Sequence, residues 1–519
     1  MPVFDVQYDV VKNLVNVKET ASYYTSRDGA EVIRELLVKY VSEDGRSGVV
    51  VADPFMGSGV LLTAIADVIK PSLVVGIEIN REPCELGRQL LARLYKNVDV
   101  QCGDAFKLAW RYRADVIVSN PPFTRWQLVR NRDEVLKAVE SRGYGRFINR
   151  RDPGLHILSF FLMDYMLKPG GYMALVMPAS AFYTEQGEGL KQLVKAKYEV
   201  LALVENAKEP SFSRGSGFKE LIIMLRKRVN PFAYNPVETD IYRFDGELRL
   251  LGGIDLSRLP RLADRNWLSL FNYGRAAMLI QLIERGLRNG LLRYLNEDEI
   301  VRGIEMYGPD FFFIPNKYWR VDEETWDYVV ITNNNEWLEI PRRYLVPCLR
   351  KPEYYESEVL VRDPGFYVLA INERQPSGDV LRYIKWGERV RVPALKFGSR
   401  WYQYAWRQLA VKKPFGHVFI HDKVVLSKPR VLANYSPKPL CASKDFYIVK
   451  TNNPLIAAWY NSSIFRDILA VFGRKISEDW TRLLEDDYLS IPIPAVVARD
   501  VNLADFNSIN AVINKYLNA

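Results

Sequence analysis

Between Ala21 and about Arg228, short runs of β-branched and aliphatic residues alternate with segments of helical period. The runs are Gly48–Val51, Leu73–Ile77, Val98–Val100, Ala114–Val118, Tyr172–Met177, Val200–Val204 and Leu221–Leu225. Such near-continuous apolar strands between helices predict a mostly parallel sheet covered on both faces, an α/β domain over residues 1–228. Arg226-Lys227-Arg228-Val229-Asn230-Pro231 breaks the pattern, and polar and proline residues follow to about Pro236, which predicts a linker over 229–265. Beyond it the alternation is lost and aromatics become dense, with Trp319, Trp326, Trp337, Trp386, Trp401 and Trp406. Residues 266–519 are expected to form a second, α+β domain. Its tail reads as helical from Pro454 to about Leu484, until Ile491-Pro492-Ile493-Pro494.

Composition narrows this picture. A chain of 519 residues exceeds one ordinary hydrophobic core, so more than one domain is required. No apolar run approaches the roughly 20 residues of a membrane helix, and the start MPVFDVQYDV lacks a basic-then-apolar leader; a cytoplasmic protein is expected. Cys84, Cys102, Cys348 and Cys441 lie far apart without a CxxC pair and read as free thiols. Three histidines, His156, His417 and His421, argue against a His-rich metal centre, and no metal is expected. The net charge of +9 weakly favours an anionic partner. Its distribution says more: residues 382–430 hold 12 Lys/Arg against 2 Asp/Glu, so this one stretch matches the excess of the whole chain.

The candidate chemistry sits at strand ends, where open α/β sheets bind ligands. Asp53-Pro54-Phe55-Met56-Gly57-Ser58-Gly59 follows the first strand, and its glycines let backbone approach a ligand closely. Glu78 ends the second strand, where an acid can accept from both ribose hydroxyls. Asp104, in Gly103-Asp104-Ala105-Phe106, ends the third and can accept from an adenine amine, with Ile79 and Phe106 placed to sandwich the ring. Each acid alone is more often a helix cap or a solvated turn; three in strand order are harder to explain that way. GxGxxG and GxxxxGK[ST] phosphate loops are both absent. A cofactor with a carboxylate, an amine and a ribose but no phosphate, S-adenosylmethionine, fits better.

Asn120-Pro121-Pro122-Phe123 ends the fourth strand. The prolines stiffen the backbone and remove two N–H donors. The Pro121 carbonyl and the Asn120 side-chain oxygen are two acceptors for one NH2 group. An aromatic amine is a poor nucleophile because its lone pair is delocalised into the ring. Holding both N–H bonds out of the ring plane localises that pair. Phe123 is placed to stack on the ring, and the competing reading is a structural turn.

The order and wording of these motifs resemble the gamma-type amino-group DNA methyltransferases, the TaqI-like adenine-N6 enzymes. The resemblance includes Tyr23-Tyr24-Thr25-Ser26, with Ser26 where that family has proline, together with Leu167-Lys168-Pro169-Gly170-Gly171 and Val176-Met177-Pro178-Ala179-Ser180. It implies a Rossmann-like catalytic domain followed by a DNA target-recognition domain. It further implies that Tyr24, Thr25, Asp53, Phe55, Gly57 and Gly59 bind the methionine part of S-adenosylmethionine. Glu78 would hold the ribose, and Asp104 the adenine, with Ile79, Ala105 and Phe106 beside it. Asn120 and Pro121, with Pro122 and Phe123, would hold the target amine. Phe212 sits where the family places an aromatic against the extruded base, with Phe218 as its rival.

A base inside a duplex must be flipped out to reach such a pocket, and favourable phosphate contacts must offset that cost. Arg125 and Arg130 follow Phe123, and Lys385, Trp386, Arg400, Trp401 and Tyr402 stand out in the basic stretch. The alternative for that stretch is a basic surface over an aromatic core. The partner expected is double-stranded DNA, with a separate restriction endonuclease possible beside it and a monomer as the working unit. With cofactor motifs beginning by residue 23, no nuclease domain is expected ahead of them. Cytosine-N4 DNA, RNA or protein-glutamine methylation, or a catalytically silent recognition subunit, stay open as alternatives.

Overall fold

The structure, a computed structural model, describes residues 25–42, 47–124, 126–129, 131–232, 237–333, 335–428, 430–473, 480–498 and 501–518. The chain forms two compact units, one of residues 1–259 with 263–278, the other of 260–262 with 279–519.

The first unit is built on a nine-stranded sheet of order β3-β2-β1-β4-β5-β7-β6-β8-β9. The strands are β1 (Val50–Asp53), β2 (Leu73–Glu78), β3 (Val98–Cys102), β4 (Ala114–Ser119), β5 (Leu167–Pro178), β6 (Tyr198–Asn206), β7 (Glu220–Lys227), β8 (Thr239–Phe244) and β9 (Leu248–Ile254). Pairing is parallel from β3 through β5 and between β6 and β8. It is antiparallel where β7 inserts between β5 and β6, and at β8–β9. All seven apolar runs predicted as strands are strands, because a run of apolar residues on both faces is stable only inside a covered sheet.

β8 and β9 fall within the segment 229–265 expected to be a linker, and correct that expectation. Ile241, Tyr242 and Phe244 of β8 are buried, so the strand satisfies the open edge of β6 and extends the core. Proline and charge before β8 end one element without ending the domain.

The helix Arg27–Tyr40 packs Ala30, Val32, Ile33, Leu36 and Leu37 into this core. Ser26 caps it, its hydroxyl accepting from the Gly29 N–H at 3.0 Å. Beneath the sheet, Asp164 is fully buried. It pairs with Lys197 at 2.9 Å and Lys227 at 3.0 Å and accepts from the hydroxyls of Tyr144 and Tyr198, each at 2.6 Å.

The second unit holds a seven-stranded mixed sheet, including the central strands Phe415–His421 and Ala433–Ala442, and a three-stranded antiparallel sheet over Arg320–Glu324, Tyr328–Thr332 and Trp337–Pro341. Its core clusters Phe311, Trp319, Tyr383, Trp386 and Trp401. The tail forms helices Pro454–Asn461 and Ser463–Phe472, then a short strand at Trp480–Arg482. No helix among the described residues is long and apolar enough to cross a membrane.

The expectation of free thiols is corrected. Cys84 pairs with Cys102 and Cys348 with Cys441 as disulfides, with Cα separations of 5.7 and 4.6 Å. Sequence spacing hid both pairs. The helix after β2 returns Cys84 beside the end of β3, and Cys348 and Cys441 are register partners on adjacent parallel strands.

Candidate active site

The strand order reverses between β1 and β4, so the loops after these strands diverge and leave a crevice at the carboxyl edge. A cleft of about 450 Å³ occupies this position. Its lining includes Thr25, Asp53, Phe55, Gly57, Glu78, Ile79, Asp104, Ala105, Phe106, Asn120 and Pro122. Eleven of the residues predicted from strand ends and motifs thus converge on one cavity. Gly59 stands beside it at the head of the next helix.

The β1 loop is shaped by its own hydrogen bonds. Gly57 and Gly59 adopt φ of +56° and +81°, conformations that side chains resist. The Gly57 N–H donates to Glu78 Oε2 at 3.0 Å, and the Asn80 N–H donates to Oε1 at 2.7 Å. Glu78 therefore ties two loops together while its remaining lone pairs can serve a ligand. Asp53 Oδ1 accepts from the Phe55 N–H at 3.0 Å and from the Ser119 hydroxyl at 2.7 Å. Asp104 caps the helix Ala105–Leu108 through the Phe106 N–H at 2.9 Å. The cap and the ligand-facing position coexist, since a carboxylate has more than one acceptor site.

Burial sets the acidity of this wall. It pushes the Asp53 carboxyl up from 3.8 to about 7 against the pull of its two hydrogen bonds, with the Glu78 charge adding to the rise. Burial raises Glu78 as well.

At the other end of the cleft, both hydrogens of the Asn120 amide are committed. Nδ2 donates to Thr25 Oγ1 at 3.1 Å and to Ser213 Oγ at 2.9 Å. Thr25 thus touches both the cavity and the amide. Pro121 is buried, and Phe123 packs edge-on against His156 with ring centroids 6.4 Å apart. Burial lowers the His156 imidazole to about 4, so the ring against Phe123 is neutral near pH 7.

The donor set fits S-adenosylmethionine. The cavity offers buried carboxylates for a ribose and an ammonium, a left-handed glycine loop open to close approach, and an apolar flank in Ile79, Phe106 and Phe55. Rings of Phe55 and Phe106 lie 6.1 Å apart.

Several predicted positions lie elsewhere. Phe212 is fully buried, packed 6.2 Å from Phe244, and cannot stack on a flipped base. Antiparallel bridging of its neighbour Ser213 to Thr25 turns its ring into the core. Its rival Phe218 is 49% exposed. Trp386, Trp401 and Tyr402 are also buried, so they are core residues and not DNA contacts. Trp386 and Trp401 close around Phe311, with centroids 6.3 and 4.5 Å away. A ring this large stabilises more by leaving water than by facing it. Lys385 and Arg400 are exposed. Tyr24, Arg125 and Arg130 lie outside the described residues. Ser213 and Glu220, which hold Asn120 and its loop, carried no role in the sequence reading; a glutamate opening the otherwise apolar strand Glu220-Leu221-Ile222-Ile223-Met224-Leu225 was the one available signal.

The doubly wound sheet thus carries an acidic and glycine-lined cleft that leads to the Asn-Pro-Pro-Phe strand end. Residues 10–238, which include this cleft, match the family model described as N-6 DNA Methylase. No curated protein matches the chain. Among solved structures, the chain is similar to the type IIG restriction endonuclease BpuSI, at 14% identity over 99% of this chain and 62% of that one, with a TM-score of 0.46. It is similar to the type IIL restriction-modification enzyme MmeI, at 14% identity over 93% and 69% of the two chains, with a TM-score of 0.40. A Listeria monocytogenes protein described as a class I S-adenosylmethionine-dependent methyltransferase matches at 16% identity over 46% and 72%, with a TM-score of 0.38.

Proposed function

We propose that this protein is a site-specific DNA methyltransferase that moves a methyl group from S-adenosylmethionine to the N6 amine of a flipped adenine, acting in the cytoplasm. The observation that carries the reading is the double commitment of the Asn120 Nδ2 hydrogens to Thr25 and Ser213, which fixes the sense of an amide that lines the cleft. The family match over residues 10–238 supports DNA as the substrate.

When bound, S-adenosylmethionine supplies an electrophilic methyl group. Glu78 would hold its ribose hydroxyls, Asp104 its adenine amine and Asp53 its ammonium. The Asn120 oxygen and the Pro121 carbonyl would accept the two N–H bonds of the target amine and draw its lone pair out of the ring. With the methyl group supplied by the cofactor, the amine would give up one proton to solvent. Pro122 stiffens this acceptor pair. Phe218, exposed where Phe212 is not, supports stacking on the flipped base. Lys385 and Arg400 are exposed and suit phosphates, and Phe397 and Trp406 are partly exposed. A separate endonuclease partner fits this reading.

The test uses pure protein, tritiated S-adenosylmethionine, and genomic DNA, tRNA, rRNA or a protein extract. Label in DNA, found as N6-methyladenine on nucleoside analysis, is the expected result. Label in RNA or protein alone would overturn the reading, and N4-methylcytosine would replace the base.

A further inference from the structure

The Asn120 amide is the first member of a longer hydrogen-bond chain. Ser213 Oγ, which accepts from Asn120 Nδ2, donates its single proton to Glu220 Oε2 at 2.8 Å. The same carboxylate oxygen accepts from the Phe212 N–H at 2.9 Å. Glu220 opens β7 and is fully buried. Among the described residues no cation forms an ion pair with it; the nearby Lys219 pairs with Glu205 instead.

Burying a carboxylate without a cation is costly. Burial raises the Glu220 carboxyl, while donation from the Ser216 and Ser213 hydroxyls and from backbone N–H groups opposes that rise and favours the charged form. An ionised carboxylate accepts only. Ser213 must then donate toward Glu220, and its lone pairs are left facing Asn120, where they accept only from N–H. The amide is polarised in one sense, nitrogen toward Ser213 and Thr25. Without the carboxylate the serine hydroxyl is free to rotate and donate to Asn120 Oδ1. The amide then flips and presents NH2 to the incoming amine, donor against donor.

The loop carrying Ser213 is itself clamped. The Ser26 N–H donates to Phe212 O at 2.7 Å, Thr25 and Ser213 form an antiparallel bridge, and the Glu220 N–H donates to Pro210 O at 3.0 Å. Gly29 leaves room for this approach, since a methyl group there would stand 2.8 Å from Phe212 O. This much local order is more than a loop needs to close a turn.

We propose that Glu220 and Ser213 are positioning residues that lock the Asn120 amide with its oxygen toward the target amine. The proposal rests on the methyltransferase reading above. Its test compares wild type, Ser213→Ala, Glu220→Gln and Glu220→Ala in transfer from tritiated S-adenosylmethionine to unmodified genomic DNA. Ser213→Ala keeps the Glu220–Phe212 bond and so the loop anchor. It should lower kcat roughly tenfold to a hundredfold, with both KM values unchanged and a melting temperature lowered by no more than that of Glu220→Ala. Glu220→Gln, whose carbonyl oxygen can still accept from Ser213 and Phe212, should recover most of the rate that Glu220→Ala loses. A wild-type kcat in Ser213→Ala, whatever happens to KM or melting temperature, would overturn the inference while leaving the methyltransferase reading intact. A wild type that transfers no label to DNA would overturn both.

Discussion

Replacing Asp53 by asparagine probes the cleft wall through its charge. The change keeps the shape and an oxygen to accept from Phe55 and Ser119, but removes the ionisable proton. The folded-state carboxyl titrates at about 7 against an ordinary value of 3.8, because it is fully buried beside Glu78. Its folded value is raised, so the wild-type contribution to stability is fully present below 3.8 and is lost as pH rises through about 7. Across the whole span the loss is about 4 kcal/mol. Between roughly pH 5.5 and 8.5, where both proteins can be handled, it is about 2 kcal/mol, at 1.36 kcal/mol per tenfold change in proton affinity. For a unit of this size that corresponds to roughly 4–8 °C in melting temperature. The assay is differential scanning fluorimetry and urea denaturation of both proteins, without cofactor, across that range. The wild type should lose stability relative to Asp53→Asn as pH rises, and at pH 8.5 the variant should be the more stable. Adding S-adenosylmethionine should stabilise the wild type more strongly at high pH, where the carboxylate can pair with its ammonium, and the variant should lack that pH dependence. A stability difference between the two apo proteins that stays constant from pH 5.5 to 8.5 would refute the buried-charge argument.

Three other substitutions test separate parts of the molecule. Asn120→Ala should reduce methyl transfer at least 100-fold, since only one of the two amine acceptors remains, while gel-shift affinity for DNA stays within a few-fold of wild type; a retained rate would exclude Asn120 from the chemistry. Asp164→Ala strands the Lys197 and Lys227 ammoniums and two tyrosine hydroxyls, and should destabilise the first unit by about 3–5 kcal/mol in urea denaturation. Burial alone would push the Asp164 carboxyl up, but Lys227, Lys197 and Tyr144 pull it below its ordinary value, so its stabilising contribution should be present above that value and lost as pH falls through the lower folded one. Gly303→Ala drives a methyl group into the carbonyl oxygens of Ser443 and Ala442 and should cost about 1–3 kcal/mol in the second unit, read as an earlier melting step.

Much of the first unit was legible before any coordinates. Seven apolar runs marked seven strands because a covered parallel sheet requires apolar residues on both faces. The place of Asp53, Glu78, Asp104 and Asn120 on one cleft was legible because strand ends are local features and share one edge of the sheet. What failed were statements about which way a side chain faces. Phe212 and Trp401 sit in segments as aromatic and polar as any binding loop, and their burial depends on partners far away in sequence: Phe244 for one, Phe311 for the other.

The sequence by itself therefore determined the element types, the order of the motifs and the chemistry of the acceptors at the ends of β1 to β4, since these follow from local periodicity and short-range turns. Tertiary structure alone decided the joining of β8 and β9 to the first sheet, the pairing of Cys84 with Cys102 and Cys348 with Cys441, and the seating of Asn120 against Thr25 and Ser213. Except for the β8–β9 hairpin, these bring together residues 18 to 95 positions apart, from Cys84 and Cys102 to Thr25 and Asn120. Contacts of that range are set by how sheets and helices pack, which no local pattern encodes.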